Sequence, residues 1–134
     1  MRVILLLGWA LGILLPLFSL TRFSPAYRAA FDWVFHTHAS HVLMHTFLYA
    51  VLAGLLFSLL RRPGRSAGRV FVCALAVVAA VAVLQEAIQM TCEHVAFGSD
   101  EIFDFFVDLN GGLLGSMLFL LPSRRRMKAR EKVE

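Results

Sequence analysis

The chain has 134 residues, of which 59% are hydrophobic and 16% charged, and a formal net charge of +4. Soluble domains contain roughly 45–50% apolar residues. This composition, with a mean hydropathy of +0.73, therefore excludes an ordinary soluble domain and predicts a polytopic membrane protein. No folded basic domain accompanies the positive charge, so nucleic-acid binding is not predicted.

Four apolar stretches are long enough to cross a bilayer, whose hydrocarbon core needs about 20 apolar residues per helix. They comprise residues 3–20, 41–60, 70–91 and about 101–121. The first is not interpreted as a cleaved signal peptide, because it is longer than a typical hydrophobic signal core and no Ala-x-Ala-like cleavage site follows it. The sequence predicts a single all-α domain over residues 1–134, a four-transmembrane-helix bundle.

The connection between the first two spans, residues 21–40, is rich in aromatic residues. It contains Phe23, Tyr27, Phe31, Trp33 and Phe35. Aromatic rings settle at the headgroup level of a membrane, so this segment predicts a short amphipathic interfacial helix. His36 and His38 follow, and histidines in such a connection are more often solvated than bound to metal.

The basic residues predict the orientation. Eleven of the thirteen lie before the first span, between the second and third spans, or after the fourth, and only Arg22 and Arg28 lie elsewhere. The positive-inside rule then places both termini and the loop 61–69 in the cytoplasm. The basic tail, residues 122–134, is expected to be solvated and to contact anionic lipids.

Four ionisable residues lie inside the apolar stretches: His45, Glu86, Asp104 and Asp108. A charged residue near the centre of a membrane helix costs about 2.5–3.5 kcal/mol on insertion scales. These side chains are therefore expected to face one another, water, a proton or a metal ion. They are the predicted functional site.

Counting helical turns from the outer end of each span places the polar groups in three tiers of the outer leaflet. His41 and Gln89 are outermost, His45, Glu86 and Asp104 lie about one turn further in, and Tyr49 and Asp108 lie deepest. His41, Tyr49 and Gln89 are thus predicted to add binding groups to the site.

Helical periodicity places these residues on continuous faces. His41, His45 and Tyr49 recur every four residues, and a second stripe contains Asp104, Asp108, Gly111 and Gly115. Small residues spaced by four let a neighbouring helix approach closely. We predict such contacts at Gly111 with Gly115, and at Gly8 with Gly12 in the first span.

Three kinds of chemistry are open to this site. Asp104 and Asp108 repel each other when both are ionised, and burial disfavours ionisation, so one of them is expected to hold a proton. The site can then transfer protons, act as general acid and base on a lipid-linked headgroup, or bind a divalent cation. A purely structural network remains an alternative, although interhelical hydrogen bonds contribute only about 0.6 kcal/mol each. Neither a reaction nor a cofactor is defined by the residues.

The ordered polar motifs resemble the VanZ-like family of small bacterial membrane proteins. The resemblance rests on His45 with Tyr49, on Glu86-x-x-Gln89, and on Asp104 and Asp108 followed by Gly111 and Gly115. It covers the second, third and fourth spans. Asp108 stands where the family usually has Asn, and the arginine that commonly precedes the Asp is absent.

The resemblance implies a multi-pass protein of the bacterial plasma membrane that acts in cell-envelope biology. The namesake of the family is associated with tolerance of the glycopeptide antibiotic teicoplanin. The expected partners are membrane lipids or a lipid-linked envelope precursor, with protein partners in the membrane also open. The alternative is a small accessory subunit that handles ions or protons in a larger membrane complex.

Overall fold

The computed structural model describes residues 1–15 and 17–130, without the side chains of 17–19, 93 and 121–130. Over these residues the chain is helical and contains no strand, which confirms the all-α prediction. The elements are α1 (Arg2–Leu14), a 3₁₀ helix (Leu17–Arg22), α2 (Pro25–Val34), α3 (His38–Leu60), α4 (Ala67–Glu93) and α5 (Ser99–Arg130).

Three helices are long and apolar enough to cross a membrane. The qualifying segments are His38–Leu60, Ala67–Cys92 and Ser99–Leu120, and they correspond to the last three predicted spans. Their outward surfaces expose large apolar side chains, among them Leu43, Phe47, Val72, Phe106 and Leu118. Such extensive apolar exposure is expected of a surface that faces lipid rather than water.

The first predicted span is not confirmed. The helix α1 has 13 residues, which corresponds to about 20 Å and is shorter than a hydrocarbon core of about 30 Å. Leu15 leaves the helix with φ −69° and ψ 128°. It precedes a proline in the sequence, and a following proline disfavours the α conformation.

Side-chain caps set the starts of the next three helices. Ser24 caps α2 by accepting a hydrogen bond from the backbone N–H of Tyr27 at 3.2 Å, and α2 occupies the predicted aromatic interfacial segment. Thr37 and Ser40 form a reciprocal cap on α3. This cap starts α3 at His38, three residues before the predicted span. Ser66 caps α4.

The closest helix contact joins α3 and α5, which run parallel. A Cβ atom added at Gly111 would lie 2.5 Å from the carbonyl oxygen of Thr46, and one at Gly115 would clash with the backbone of Ala50. The close approach predicted for this glycine stripe is therefore present, and it fixes the register of the two helices. At Gly8 and Gly12 an added Cβ would meet nothing within 4 Å, so the close contact predicted there is wrong for the described residues.

The apolar core lies between α3 and α4, with α1 against both. Ala74, Val78 and Ala82 of α4 are fully buried against a cluster that includes Leu52 and Ala53 of α3. The small side chains of α4 allow close packing. Trp9 of α1 donates its indole N–H to the backbone carbonyl of Leu48 at 2.9 Å, and Ile13 is buried in the core. The helix α1 thus packs beside the N-terminal half of α3, next to the polar residues.

Candidate functional site

Two histidine–aspartate pairs join α3 to α5. The Nε2 atom of His41 lies 3.2 Å from each carboxylate oxygen of Asp104. The Nδ1 atom of His45 lies 2.9 Å from Oδ1 of Asp108. In both pairs the partners are 63 residues apart in sequence. Because the glycine contact holds the two helices in parallel register, a step of four residues along each helix repeats the pair.

The two pairs form one continuous polar unit of graded burial. The imidazole rings of His41 and His45 stack, with centroids 4.4 Å apart and an interplanar angle of 28°. The exposed fraction of the side chains falls from 34% at His41 and 16% at Asp104 to 13% at His45 and 0% at Asp108. The outer pair is therefore accessible, whereas the inner pair is almost dry.

Glu86 brings a third carboxylate to these pairs from α4. It is 6% exposed and lies within electrostatic range of Asp104, Asp108 and His45. Its Oε1 atom has no hydrogen-bond partner among the residues that the structure describes, whereas the carboxylate of Asp108 has His45 and the hydroxyl group of Tyr49 beside it. A buried oxygen without a partner costs about 1–3 kcal/mol or more when charged. The buried oxygen of Glu86 can therefore accept a hydrogen bond from a further group.

A chain of neutral polar groups continues from the cluster along α4. The hydroxyl group of Tyr49 donates to Oε1 of Gln85 at 3.2 Å, and the amide of Gln85 donates to Gln89 at 3.1 Å. Gln85 is not among the residues predicted for the site from the sequence. Its polar side chain interrupts an apolar run immediately before Glu86, and that interruption was the available signal.

The residues predicted for the site lie together, but their levels along the helices differ from the predicted tiers. Counting turns placed His45 level with Asp104, whereas the structure pairs His45 with Asp108 and His41 with Asp104. The tiers of α3 and α5 are thus wrong by one turn relative to each other. The reason is that the register follows from where Gly111 and Gly115 meet α3, and the ends of the apolar stretches do not reveal this. His36 pairs with no residue of the cluster: its Nδ1 atom lies 2.7 Å from the carbonyl oxygen of Trp33, although the residue lines a cavity together with His41 and Asp104.

A cavity of about 340 Å³ opens beside the histidines. Its polar wall consists of His41, His45, Gln85 and Gln89, and its other walls are mainly apolar. The apolar residues come from four helices or their ends: Ile13, Leu14, Leu15, Phe31, Phe35, Leu48 and Ile88. The cavity is thus amphipathic, with polar groups on one side and a hydrocarbon-like surface on the other.

Two further cavities adjoin the cluster. One of about 450 Å³ is lined by Glu86, Gln89 and Asp104 together with the loop before α5. The other, of about 800 Å³, is lined by His41 and Asp104 and by the start of α3. Solutes can therefore reach Asp104 and Glu86 from the end of the bundle without passing the apolar surface.

Three side chains of the cluster can share one metal ion. One ligand atom each of His41, His45 and Asp104 lie within 4.8 Å of one another. No cysteine belongs to this group, although Cys92 lines the neighbouring apolar cavity. The cluster therefore offers imidazole and carboxylate ligands, together with acid and base groups and hydrogen-bond acceptors for a polar headgroup.

Comparisons with family models, with curated proteins and with solved structures find no match for this chain.

Proposed function

We propose that the chain is a VanZ-like membrane protein whose polar cluster binds the headgroup of a lipid-linked envelope precursor. The observation that carries this proposal is the amphipathic cavity. Its polar wall includes His41, His45 and Gln89, and its apolar walls offer a surface for a lipid chain. A soluble ligand would not need those apolar walls, and an ordinary lipid chain would not need the polar one.

The charges of the cluster define the class of headgroup. Four carboxylates, those of Glu86, Glu101, Asp104 and Asp108, surround three imidazoles, those of His38, His41 and His45. The carboxylates are in excess, so a bare phosphate would be repelled. Carboxylates, imidazoles and the amides of Gln85 and Gln89 accept and donate hydrogen bonds to hydroxyl and amine groups. The ligand proposed is therefore a lipid-linked sugar or peptide, and the cluster recognises its hydroxyl or amine groups.

The proposed orientation places the cluster at the outer side of the bacterial plasma membrane. The loop 61–69 and the tail contain most of the basic residues, and the positive-inside rule assigns them, with both termini, to the cytoplasm. In this arrangement α1 and the following 3₁₀ helix together form the first, shorter element of a four-span bundle. Tolerance of teicoplanin, the phenotype that the resemblance implies, would follow if the bound precursor is the one the antibiotic targets.

A side chain placed in the amphipathic cavity should block binding. We expect Gly12→Leu to weaken binding of the lipid-linked disaccharide-peptide precursor of peptidoglycan at least tenfold. Gly12 lines the cavity, and an added Cβ meets nothing within 4 Å, so leucine fills the space without displacing a helix. One methylene group more or less in an apolar pocket changes the binding free energy by about 1–3 kcal/mol. Leucine adds four carbon atoms, so the expected loss of affinity is large. Native mass spectrometry of the purified full chain in detergent measures the retained lipid.

Gly8→Leu is the matched control, because Gly8 lies four residues earlier on the same helix and is equally open. It does not line the cavity, and this variant should bind the precursor like the wild type. Equal binding by the Gly12→Leu variant and the wild type would contradict the proposed site. So would a wild-type chain that retains only bulk phospholipid.

The second candidate function is ion or proton handling within a larger complex. The observation that favours it is the continuity of the polar groups, from the accessible His41–Asp104 pair to the dry His45–Asp108 pair and on to Tyr49. Extraction in mild detergent separates the candidates. Constant co-migration with other membrane subunits supports the accessory role, and migration alone or as a homo-oligomer supports the envelope role.

A further inference from the structure

We propose that His41, His45 and Asp104 form a binding site for a divalent transition-metal ion of the zinc type. The proposal goes beyond the lipid-binding function and does not depend on it. It rests on the spacing of the three ligands, on the hydrogen bond that orients His45, and on the buried carboxylate of Glu86 beside them.

The spacing is that of ligands around one ion. Zinc binds imidazole nitrogen and carboxylate oxygen at about 2.0–2.2 Å, so neighbouring ligands in a tetrahedral site lie about 3.3 Å apart. The Nε2 atom of His41 lies 3.2 Å from both carboxylate oxygens of Asp104. With His45, all three ligand atoms lie within 4.8 Å of one another.

Asp108 orients His45 for this role. Its carboxylate lies 2.9 Å from Nδ1 of His45 and is 0% exposed. A proton held on Nδ1 by this hydrogen bond leaves the lone pair on Nε2, the nitrogen that must bind the ion. Metal-binding histidines nearly always have such an outer partner, and a carboxylate in that position raises the basicity of the imidazole.

Glu86 is the second feature that points to a ligand. It is more than nine-tenths buried, and its Oε1 atom has no partner among the described residues. Together with Asp104 it lines the polar cavity of about 450 Å³. Glu86 is not one of the residues whose ligand atoms lie within 4.8 Å of one another, so its place is beside the three ligands, as a proton acceptor for water on the ion. Three protein ligands with one open position are the pattern of catalytic zinc sites.

The donor set favours zinc over harder or softer ions. Magnesium and calcium prefer six or more oxygen ligands, and copper(I) prefers sulfur ligands, whereas two imidazoles and one carboxylate suit Zn²⁺, Co²⁺, Ni²⁺ or Fe²⁺. The two cavities that reach Asp104 provide an entry path. A divalent ion would also offset the excess negative charge of the carboxylates.

The test uses the purified full chain in detergent, with any polyhistidine tag removed and metals stripped by chelation. We expect it to bind about one Zn²⁺ ion per chain and, with Co²⁺, to develop the visible absorption of a tetrahedral site. His45→Ala and Asp104→Asn should each weaken Zn²⁺ binding by more than about 100-fold, since even outer-shell substitutions cost roughly 10–100-fold.

His94→Asn is the control, because it removes an exposed imidazole that lines none of the cavities around the cluster, and asparagine tolerates the positive φ of this position. It should bind zinc like the wild type. Addition of Zn²⁺ should raise the unfolding temperature of the wild type and of this control. Folded His41→Gln and Asp104→Asn variants, identified by their helical circular dichroism, should show no such rise. Sub-stoichiometric binding by the wild type, or equal affinity of the ligand variants and the control, overturns the proposal.

Discussion

Replacing Asp108 by leucine should lower the free energy of unfolding by about 2–3 kcal/mol. Asp108 is completely buried and pairs with His45 at 2.9 Å, and leucine has a similar size but no acceptor. The substitution leaves the Nδ1 atom of a nearly buried imidazole without its partner, and such an orphaned group costs about 1–3 kcal/mol. Titration of the purified chain with sodium dodecyl sulfate from mixed micelles measures the change.

Asp108→Asn is the matched variant, because asparagine keeps an acceptor oxygen for His45 and removes one potential charge beside Asp104. It should be neutral or modestly stabilising. A double-mutant cycle with His45→Ala isolates the pair. If Asp108→Leu costs as much in the His45→Ala background as in the wild type, the pair does not form in the folded protein.

Replacing Gly115 by alanine should destabilise the bundle by about 1–3 kcal/mol. The added methyl group would clash with the backbone of Ala50, and backbone atoms cannot move aside as a side-chain tip can. The helices α3 and α5 must then separate, which also lengthens both histidine–aspartate contacts. The same detergent titration measures the loss.

Gly8→Ala is the control for a glycine-to-alanine change within a helix, because nothing lies within 4 Å of its added Cβ. It should leave the free energy of unfolding unchanged or raise it slightly, since alanine favours the helix. Equal stability of the Gly115→Ala and Gly8→Ala variants would show that α3 and α5 do not meet at this stripe.

Periodicity and composition were sufficient to predict the helices and the polar faces. The last three apolar stretches become α3, α4 and α5, and the aromatic segment becomes α2. A period of four residues placed His41 with His45, and Asp104 with Asp108, on common faces. Because charged groups inside apolar helices must find partners, their convergence also followed from the sequence.

The pairing of those groups could not be predicted, because it depends on the vertical offset between helices. That offset is set by the contact of Gly111 with Thr46 and of Gly115 with Ala50. The sequence does not show which residue of a neighbouring helix a glycine contacts. The stop of α1 at Leu14 was missed for a different reason. Hydropathy alone predicts a span that reaches residue 20. The proline at position 16, however, disfavours the α conformation of the residue before it.

The burial pattern favours a functional site over a network that only joins helices. A fastening network would be expected to satisfy its own groups, as buried polar atoms generally do. Here Glu86 keeps a buried oxygen without a partner among the described residues. In addition, cavities adjoin the cluster, and Glu86 lines one of them, so a ligand can reach this residue.

The most direct test of the proposed envelope function is the minimal inhibitory concentration of teicoplanin for a susceptible bacterium that expresses the chain. We expect the wild type and Gly8→Leu to raise it, and Glu86→Gln to leave it at the level of the empty vector. Glutamine keeps the shape of Glu86 and removes its charge, so immunoblots should find equal amounts of all three proteins in the membrane. A Glu86→Gln variant that protects as well as the wild type, or a wild type that does not protect, would contradict the account.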